Sequence, residues 1–444
     1  MTSDADDKPL AGVTVMVSGP ALQAEQVEIT GADGRYVVTQ LPSGDDYVVR
    51  FYLGESVVER PGIRIAQNKT LSVSIAMPML KMRKEVKVIR ERAPNVDTAT
   101  ANSGVEINQD VMKNTAVRGR TYESVLSLAP GTVDPPRGQG GDIGVSISGS
   151  TGNENNFIID GLNTSDPNTG VIGTELHQYF IKEVNVITGG YQAEYGRATG
   201  GVVSMVTKMG GNDLHGSVFG SVQPYQIKAP TVGRLGEALA IRRNTDGLVY
   251  DYGFELGGAI VKDRLWFYVG LAPTTSVFRT DRVTRRLIRD PATGQAQSLA
   301  DYQCPTYLAT DLYCRGGRQL ALATEELAEH TTSYEETRRL YNGIAKLQFN
   351  ISPDHNISVG YIASPSTFDG YSSLSPFRNA NVSDFQYADT LQVHDIMTRY
   401  VGKLLQRKLQ IDVMYGFHYQ GLDTRPRNID KPIYYYLADA ANPY

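Results

Sequence analysis

The sequence predicts a mainly β protein: an N-terminal β-sandwich, a central α+β domain and the first strands of a transmembrane β-barrel. Three observations carry this prediction. Gly and Tyr are abundant, at 44 and 26 of 444 residues, while Trp occurs once, a mix that favours strands and turns over helices. Short runs alternate apolar and polar residues along most of the chain, broken by Gly, Pro and Asp. Beyond residue 214 the spacers between these runs alternate long and short.

Length suggests two to four domains. A net charge of -5 gives no reason to expect nucleic acid as a partner. No window approaches the roughly 20 apolar residues of a membrane helix, so a membrane protein of this sequence would cross as a barrel. Residues 1–8 are acidic and polar and do not read as a signal peptide, which an outer-membrane protein is expected to carry upstream.

Residues 9–80 form the expected sandwich. Val13, Val15 and Val17 share one strand face, residues 26–30 follow, and Gly31-Ala32-Asp33-Gly34 makes a turn. Residues 35–38 read as the return strand and Leu41-Pro42-Ser43-Gly44 as the next turn. Tyr47, Val49, Phe51 and Leu53 alternate again, as do Leu71, Val73, Ile75 and Met77. The strand at 12–14, the Thr30–Tyr36 run spelled T-x-x-D-G-x-Y and the L-P-x-G turn resemble a carboxypeptidase-regulatory-like domain. No catalytic role follows from that name. The alternative is another small immunoglobulin-like adhesive module.

Residues 81–105 are a linker. Glu85, Val86, Lys87, Val88 and Ile89 alternate charge with apolar side chains, and such a segment can add itself to a partner's sheet. A last sandwich strand followed by a linker fits the pattern equally well.

Residues 106–209 hold the clearest helix, residues 121–129, with Thr121 as cap, Glu123 at the positive end and Pro130-Gly131 as the stop. Asn108 or Asp110 can cap a shorter helix over Val111 and Met112. Strands are expected at 143–147, 157–159, 180–187 and 202–207. Between them lie a turn at Gly149, the Asp160-Gly161 turn, Gly189-Gly190, and the run Glu194-Tyr195-Gly196-Arg197 leading to Gly200-Gly201. Glu194 and Arg197, three apart, can pair with each other or with a barrel wall. Asp160, Glu183 and Glu194 read as structural rather than as acid–base groups, and His177 as structural. Gly149 to Gly152 lacks the Gly-Lys-Ser/Thr ending of a phosphate loop.

This central string, with the Asn212-x-x-His215-Gly216 entry that follows, resembles the plug domain of TonB-dependent outer-membrane receptors joined to the first barrel strand. The Oar-like type, with its N-terminal carboxypeptidase-regulatory-like domain, is the nearest form. The resemblance implies a plug that blocks a barrel and releases an unidentified extracellular ligand inward when a TonB-type energy-transducing protein pulls on a short segment, the TonB box. Position and pattern suggest Glu85 to Ile89 for that box. Outer-membrane lipid is the other implied partner. No cofactor, metal or catalytic residue is implied.

Residues 210–444 supply about seven strands: near 214–222, 252–260, 265–271, 341–349, 357–363, 397–405 and 411–419. The family's barrel has about twenty-two, so the resemblance implies the front part of a longer receptor. Trp266 and Tyr268 leave the polarity of one strand ambiguous. The connections 223–249, 280–338 and 364–392 read as long external loops, and 262–264, 352–356 and 406–410 as short turns. Cys304 and Cys314 share the second long loop, either bridged in an oxidising space or as free thiols. Residues 320–329 have helical composition, and Phe368, Tyr371, Phe377, Phe385 and Tyr387 are aromatic residues expected in the third loop. Rival readings are a non-transporting cell-surface adhesin or scaffold, and an inactive receptor fragment.

Overall fold

The computed structural model describes residues 2–3, 8–22, 25–39, 41–54, 56–65, 70–77, 86–88, 103–115, 119–133, 144–191, 195–224, 240–287, 324–326, 332–371, 386–405 and 409–426. The fold is mainly β, and the described residues form three larger sheets and two short strand pairs.

The N-terminal part begins with β1 (Thr2–Ser3), β2 (Thr14–Ser18), β3 (Gln26–Ile29), β4 (Gly44–Leu53), β5 (Ser56–Ile65), β6 (Ile75–Ala76) and β7 (Val86–Val88). One sheet runs β3-β2-β4-β5-β7, and the short parallel pair of β1 with β6 forms a second layer. The period-2 pattern explains the core: Val13, Val15, Val17, Tyr47, Val49 and Phe51 are buried together with Ile75 and Met77. Thr30 is buried because its hydroxyl donates to the Leu10 carbonyl at 2.7 Å and accepts from the Val13 amide at 2.9 Å. Residues 35–38 and most of 71–77 are not strand, although Tyr36, Val38 and Leu71 still pack on the core. Tyr36 is held by its hydroxyl, which donates to the Val73 carbonyl at 2.7 Å, and by the edge of Phe51. Side-chain contacts of this kind, rather than a ladder, order the segment.

The central part contains β8 (Ser103–Asn108), α1 (Gln109–Asn114), α2 (Tyr122–Leu126), β9 (Thr132–Val133), β10 (Ser146–Ile147), β11 (Asn156–Ile159), β12 (Leu162–Asn163), β13 (Ile181–Gly189) and β14 (Val202–Thr207). Its five-stranded sheet runs β12-β11-β14-β13-β8, with β11 and β14 parallel and the other pairs antiparallel. Asn108 caps α1 by accepting from the Val111 amide at 3.0 Å. α2 is shorter than the 121–129 expected, and its Thr121 cap makes no side-chain bond to the helix. The backbone of Thr121 instead pairs with His177, which draws the helix start onto the sheet. Of the strand expected at 143–147, the described residues 144–147 contain only β10, paired with β9. Tyr122, Val125, Ile147, Phe157, Phe180, Val184 and Met205 lie in one buried cluster.

The third sheet is a wall built from β15 (His215–Pro224), β16 (Ala240–Val261), β17 (Leu265–Leu287), β18 (Thr324–Glu326), β19 (Thr332–Ser352), β20 (His355–Ala363), β21 (Ser366–Tyr371), β22 (Gln386–Leu404) and β23 (Leu409–Pro426). Seven principal strands follow one another, each antiparallel to the next. β21 continues the line of β20 beyond a break at 364–365 and pairs with both β19 and β22. Among the described residues β15 and β23 do not pair, so the wall is a partial barrel.

Several of these strands are far longer than expected. β16, β17 and β19 contain 22, 23 and 21 residues, about twice the 9–11 that cross a bilayer. The described parts of each long connection are therefore largely strand. In Arg279-Thr280-Asp281-Arg282-Val283-Thr284-Arg285-Arg286 no apolar face remains, so the hydrophobic period vanishes while the backbone ladder continues. The helix expected within 320–329 is likewise overruled where it is described: β18 pairs with residues 285–287 of β17. Phe368 and Tyr371 fall in β21 and Tyr387 in β22, not in a loop, while Phe377 and Phe385 lie outside the described residues.

Candidate functional site

The wall has two faces. Tyr252, Phe254, Leu256, Leu271, Tyr341, Leu347, Tyr361, Val413, Tyr415 and Phe417 are exposed, which gives the outer face its aliphatic and aromatic character. Asp251, Glu255, Trp266, Tyr268, Asn342, Ile344, Lys346, Ile362 and Asp395 are buried on the other face, against the central sheet. The ambiguous strand is thereby settled. Trp266 and Tyr268 point inward, the first donating to Asn212 Oδ1 at 2.9 Å and the second to Glu255 Oε2 at 2.6 Å. Aromatic side chains with polar tips suit a site that is apolar along its flank and polar at one end.

Glycines let the two surfaces approach. A methyl at Gly270 would collide with the Phe180 ring, and one at Gly416 would sit 2.5 Å from Leu162 Cδ1. Wall glycines are thus sockets for side chains of the central sheet.

One contact patch is ionic. Asp160 follows β11 in the left-handed region at φ 49°. Its carboxylate accepts from the Thr207 amide at 2.9 Å and hydroxyl at 2.6 Å, and from Lys346 Nζ of the wall at 2.9 Å. Lys346 also donates to Thr207 Oγ1 at 2.6 Å. Beside it, Lys208 Nζ donates to both Glu255 oxygens at 2.6 Å, and Glu255 accepts from Ser217 at 2.9 Å as well as from Tyr268. His177 lies next to this patch, fully buried, with its ring stacked on Phe219 at 5.0 Å. Its Nδ1 accepts from the Tyr179 amide at 3.4 Å. Burial, and then the positive charge of Arg120, push its pKa down to about 4, so the ring is neutral.

A second patch is polar and looser. Thr174 donates to Asp395 Oδ2 at 2.7 Å, His418 Nδ1 lies 2.6 Å from Asp395 Oδ1, and Gln420 donates to Asp166 Oδ2 at 2.6 Å. Arg338 pairs with Glu175. Burial, then the carboxylates of Glu123, Glu175 and Asp395, hold the Tyr122 hydroxyl well above its usual pKa. The chain between the central sheet and the wall is fixed by Asn212, which donates to Asp263 Oδ1 at 2.7 Å and accepts from its amide at 3.0 Å.

The glycine-rich motif residues shape the central domain. Gly149 and Gly161 have φ of 85° and 91°, and Gly190 of 69° follows Gly189 at the end of β13. Arg197, not Gly196, takes the left-handed turn, with φ 70°. Gly196 accepts from Asn156 Nδ2 at 3.3 Å, and Tyr195 is buried. Gly200 and Gly201 serve close approach: a methyl on Gly201 would lie 2.6 Å from Ile147, and Asn155 Oδ1 accepts from the Gly201 amide at 2.9 Å. Glu194, Cys304 and Cys314 lie outside the described residues. So do Glu85 and Ile89, whereas the backbone of Val86–Val88 pairs in parallel with residues 57–59 of β5.

Comparison with known proteins agrees with this architecture. A carboxypeptidase regulatory-like domain matches residues 2–78 and a TonB-dependent receptor plug domain residues 94–202. The TonB-dependent transporter Oar of Myxococcus xanthus is 30% identical over 439 residues, 94% of this chain and 39% of that protein. The chain is an Oar-like homologue of the TonB-dependent outer-membrane receptors. The chain spans about two fifths of the length of the Oar protein it matches. Among solved structures, the outer-membrane transporter YddB of Escherichia coli aligns at 12% identity and a TM-score of 0.49, over 73% of this chain and 40% of that one. The alcaligin outer-membrane receptor FauA of Bordetella pertussis aligns at 12% identity and 0.38, over 76% and 50%. In this Oar-like chain the central sheet is the plug, and the sequence pattern missed its buried partners, Lys346 and Glu255, because no local signal ties them to Asp160 and Lys208.

Proposed function

We propose that this chain provides the gate of an outer-membrane transporter whose plug is displaced by a TonB-type partner pulling on residues 85–89. The observation that carries the reading is a plug sheet bonded through buried charges to the inward face of a wall whose outward face is apolar. Such an assembly is closed at rest and needs work to open, because separating it strips partners from buried charges. The work must come from outside the fold, and a strand-forming segment ahead of the plug gives a partner a place to pair. The ligand binds from the outside and is released inward.

A Pro in place of Val86 or Val88 removes a main-chain donor from that segment. Binding of the purified periplasmic domain of the TonB-type partner to the receptor, measured by titration, is expected to fall at least tenfold for Val86→Pro and Val88→Pro. Equal changes at Thr98 and Ser103 are expected to leave it intact. Unchanged binding in the first two variants would move the handle elsewhere and remove residues 85–89 from the reading.

A further inference from the structure

The two patches between plug and wall differ in how completely their polar atoms are used. In the ionic patch, Lys208 and Lys346 are both bonded across the interface, to Glu255 and to Asp160 with Thr207, and the unpartnered atom beside them, His177 Nε2, belongs to the plug and not to the contact itself. In the looser patch several buried atoms have no hydrogen-bond partner in the protein: Tyr122 Oη, both amide atoms of Asn342 and Ser364 Oγ. The wall members of this set, Asn342 on β19 and Ser364 at the break after β20, are neighbours, and β22 and β23 continue the patch. Gly343 pairs with Ala363, which puts Asn342 beside Ser364. The Ser364 amide bonds to the Val393 carbonyl, Val393 pairs with Gln420, and Asp395 pairs with His418. Gln420 Oε1 faces the plug at Gly173, where a methyl would lie 2.9 Å away.

The plug side differs as well. Asp160, Thr207 and Lys208 sit at the ends of β11 and β14, inside or next to the sheet ladder. Thr174 and Asp166 belong to the irregular segment between β12 and Ile181, held by the isolated bridges Ser165 to Ile172 and Thr121 to His177. A segment with few ladder bonds opens more readily than a strand. Buried polar atoms without protein partners take water where there is room for it, and an interface rich in them separates with less loss than one whose groups are fully paired.

We propose that the plug parts from the wall along this seam, between residues 163–175 and strands β19–β23, and that the opened seam is the hydrated route for hydrogen-bonding solutes. The ionic patch then serves as the hinge side, which stays closed. The proposal rests on the gate reading above only for what drives the opening.

Thiol labelling tests it in the receptor with Cys304 and Cys314 changed to Ser. Asn342→Cys and Ser364→Cys report the seam, and Thr207→Cys, at a buried position, the ionic patch. The probe is a small cationic methanethiosulfonate. In purified receptor titrated with urea, the two seam thiols are expected to react at lower urea than Thr207→Cys, with at least a tenfold faster rate at the first urea step that gives labelling. Reaction of Thr207→Cys at the same or lower urea than both seam thiols overturns the seam. In cells, the seam thiols are expected to label at least tenfold faster with the membrane energised than with a protonophore present. If the order in urea holds but energisation changes nothing, the seam stands and the TonB-driven reading fails.

Discussion

The ionic patch and the polar seam do different jobs at one interface. Lys346 and Glu255 are each buried to within a tenth of full exposure and each meets an opposite charge from the plug. Removing one partner of a buried pair costs about 3–5 kcal/mol, since the other charge stays buried without compensation. At the seam, Thr174 meets Asp395, Gln420 meets Asp166 and the half-exposed Arg338 pairs with Glu175, while the side chains of Asn342 and Ser364 are buried without a partner in the protein. Each such atom costs about 1–3 kcal/mol in the closed state. The contrast teaches that a plug can be held firmly without being held evenly. Stability is concentrated where the sheet itself touches the wall and withheld where an irregular loop does.

The largest expected effect breaks the firm side. Lys346→Met leaves Asp160 and Thr207 without their wall partner. It should weaken docking of the plug by about 3–5 kcal/mol, read as faster hydrogen exchange in β14. The double change Asp160→Asn with Lys346→Met should recover most of that loss, because no unpaired charge remains. Exchange in β14 that is unchanged in the single variant would show that the ionic patch does not hold the plug.

Acid should come next. His177 beside the ionic patch has a folded pKa of about 4 against an ordinary value of 6.5. The unfolded chain therefore takes up a proton below pH 6.5 that the folded chain refuses until about pH 4. Stability is complete above pH 6.5, falls as the pH drops through the window from 6.5 to 4, and levels below it. A gap of this size corresponds to roughly 3 kcal/mol. Exchange protection of β13, corrected for intrinsic rates and compared at pH 7 and pH 4.5, should show the loss, and His177→Gln should remove most of the pH dependence. Equal slopes for both proteins would mean that the histidine is not buried neutral.

The sequence displayed the architecture because each sheet has its own period or punctuation. Val13, Val15 and Val17 marked one core and Phe157-Ile158-Ile159 another, and the outward Tyr415 and Phe417 alternate with Gly416 and His418. The interface was far less legible. Asp160-Gly161 reads correctly as a turn, yet the partner that gives Asp160 its place is Lys346, 186 residues away. Inward Trp266 and Tyr268 imitate a lipid face in sequence, since their polar tips find Asn212 and Glu255 only in the folded wall. The long extensions of β16, β17 and β19 escaped notice because a strand with polar residues on both faces has no hydrophobic period. Local rules reveal elements, and long-range pairing of buried charges must be seen in space.

The smallest expected effect is the most discriminating. Asn342 is fully buried on the wall, and neither amide atom has a protein partner. Leu has a similar volume and carries no polar atom. Replacing a bonded buried group in this way is costly, whereas replacing an unbonded one removes a penalty that the closed state already bears. Asn342→Leu should therefore leave the plug docked as well as before or tighter, by up to about 1–2 kcal/mol. Protection of the segment 163–175 should rise slightly while that of β14 stays constant. The same variant should also slow opening, because an apolar side chain at Asn342 gives the parting seam nothing with which to bind water. A fall in protection comparable to that of Lys346→Met would show that Asn342 is bonded in the closed receptor, and the two patches would then be equivalent.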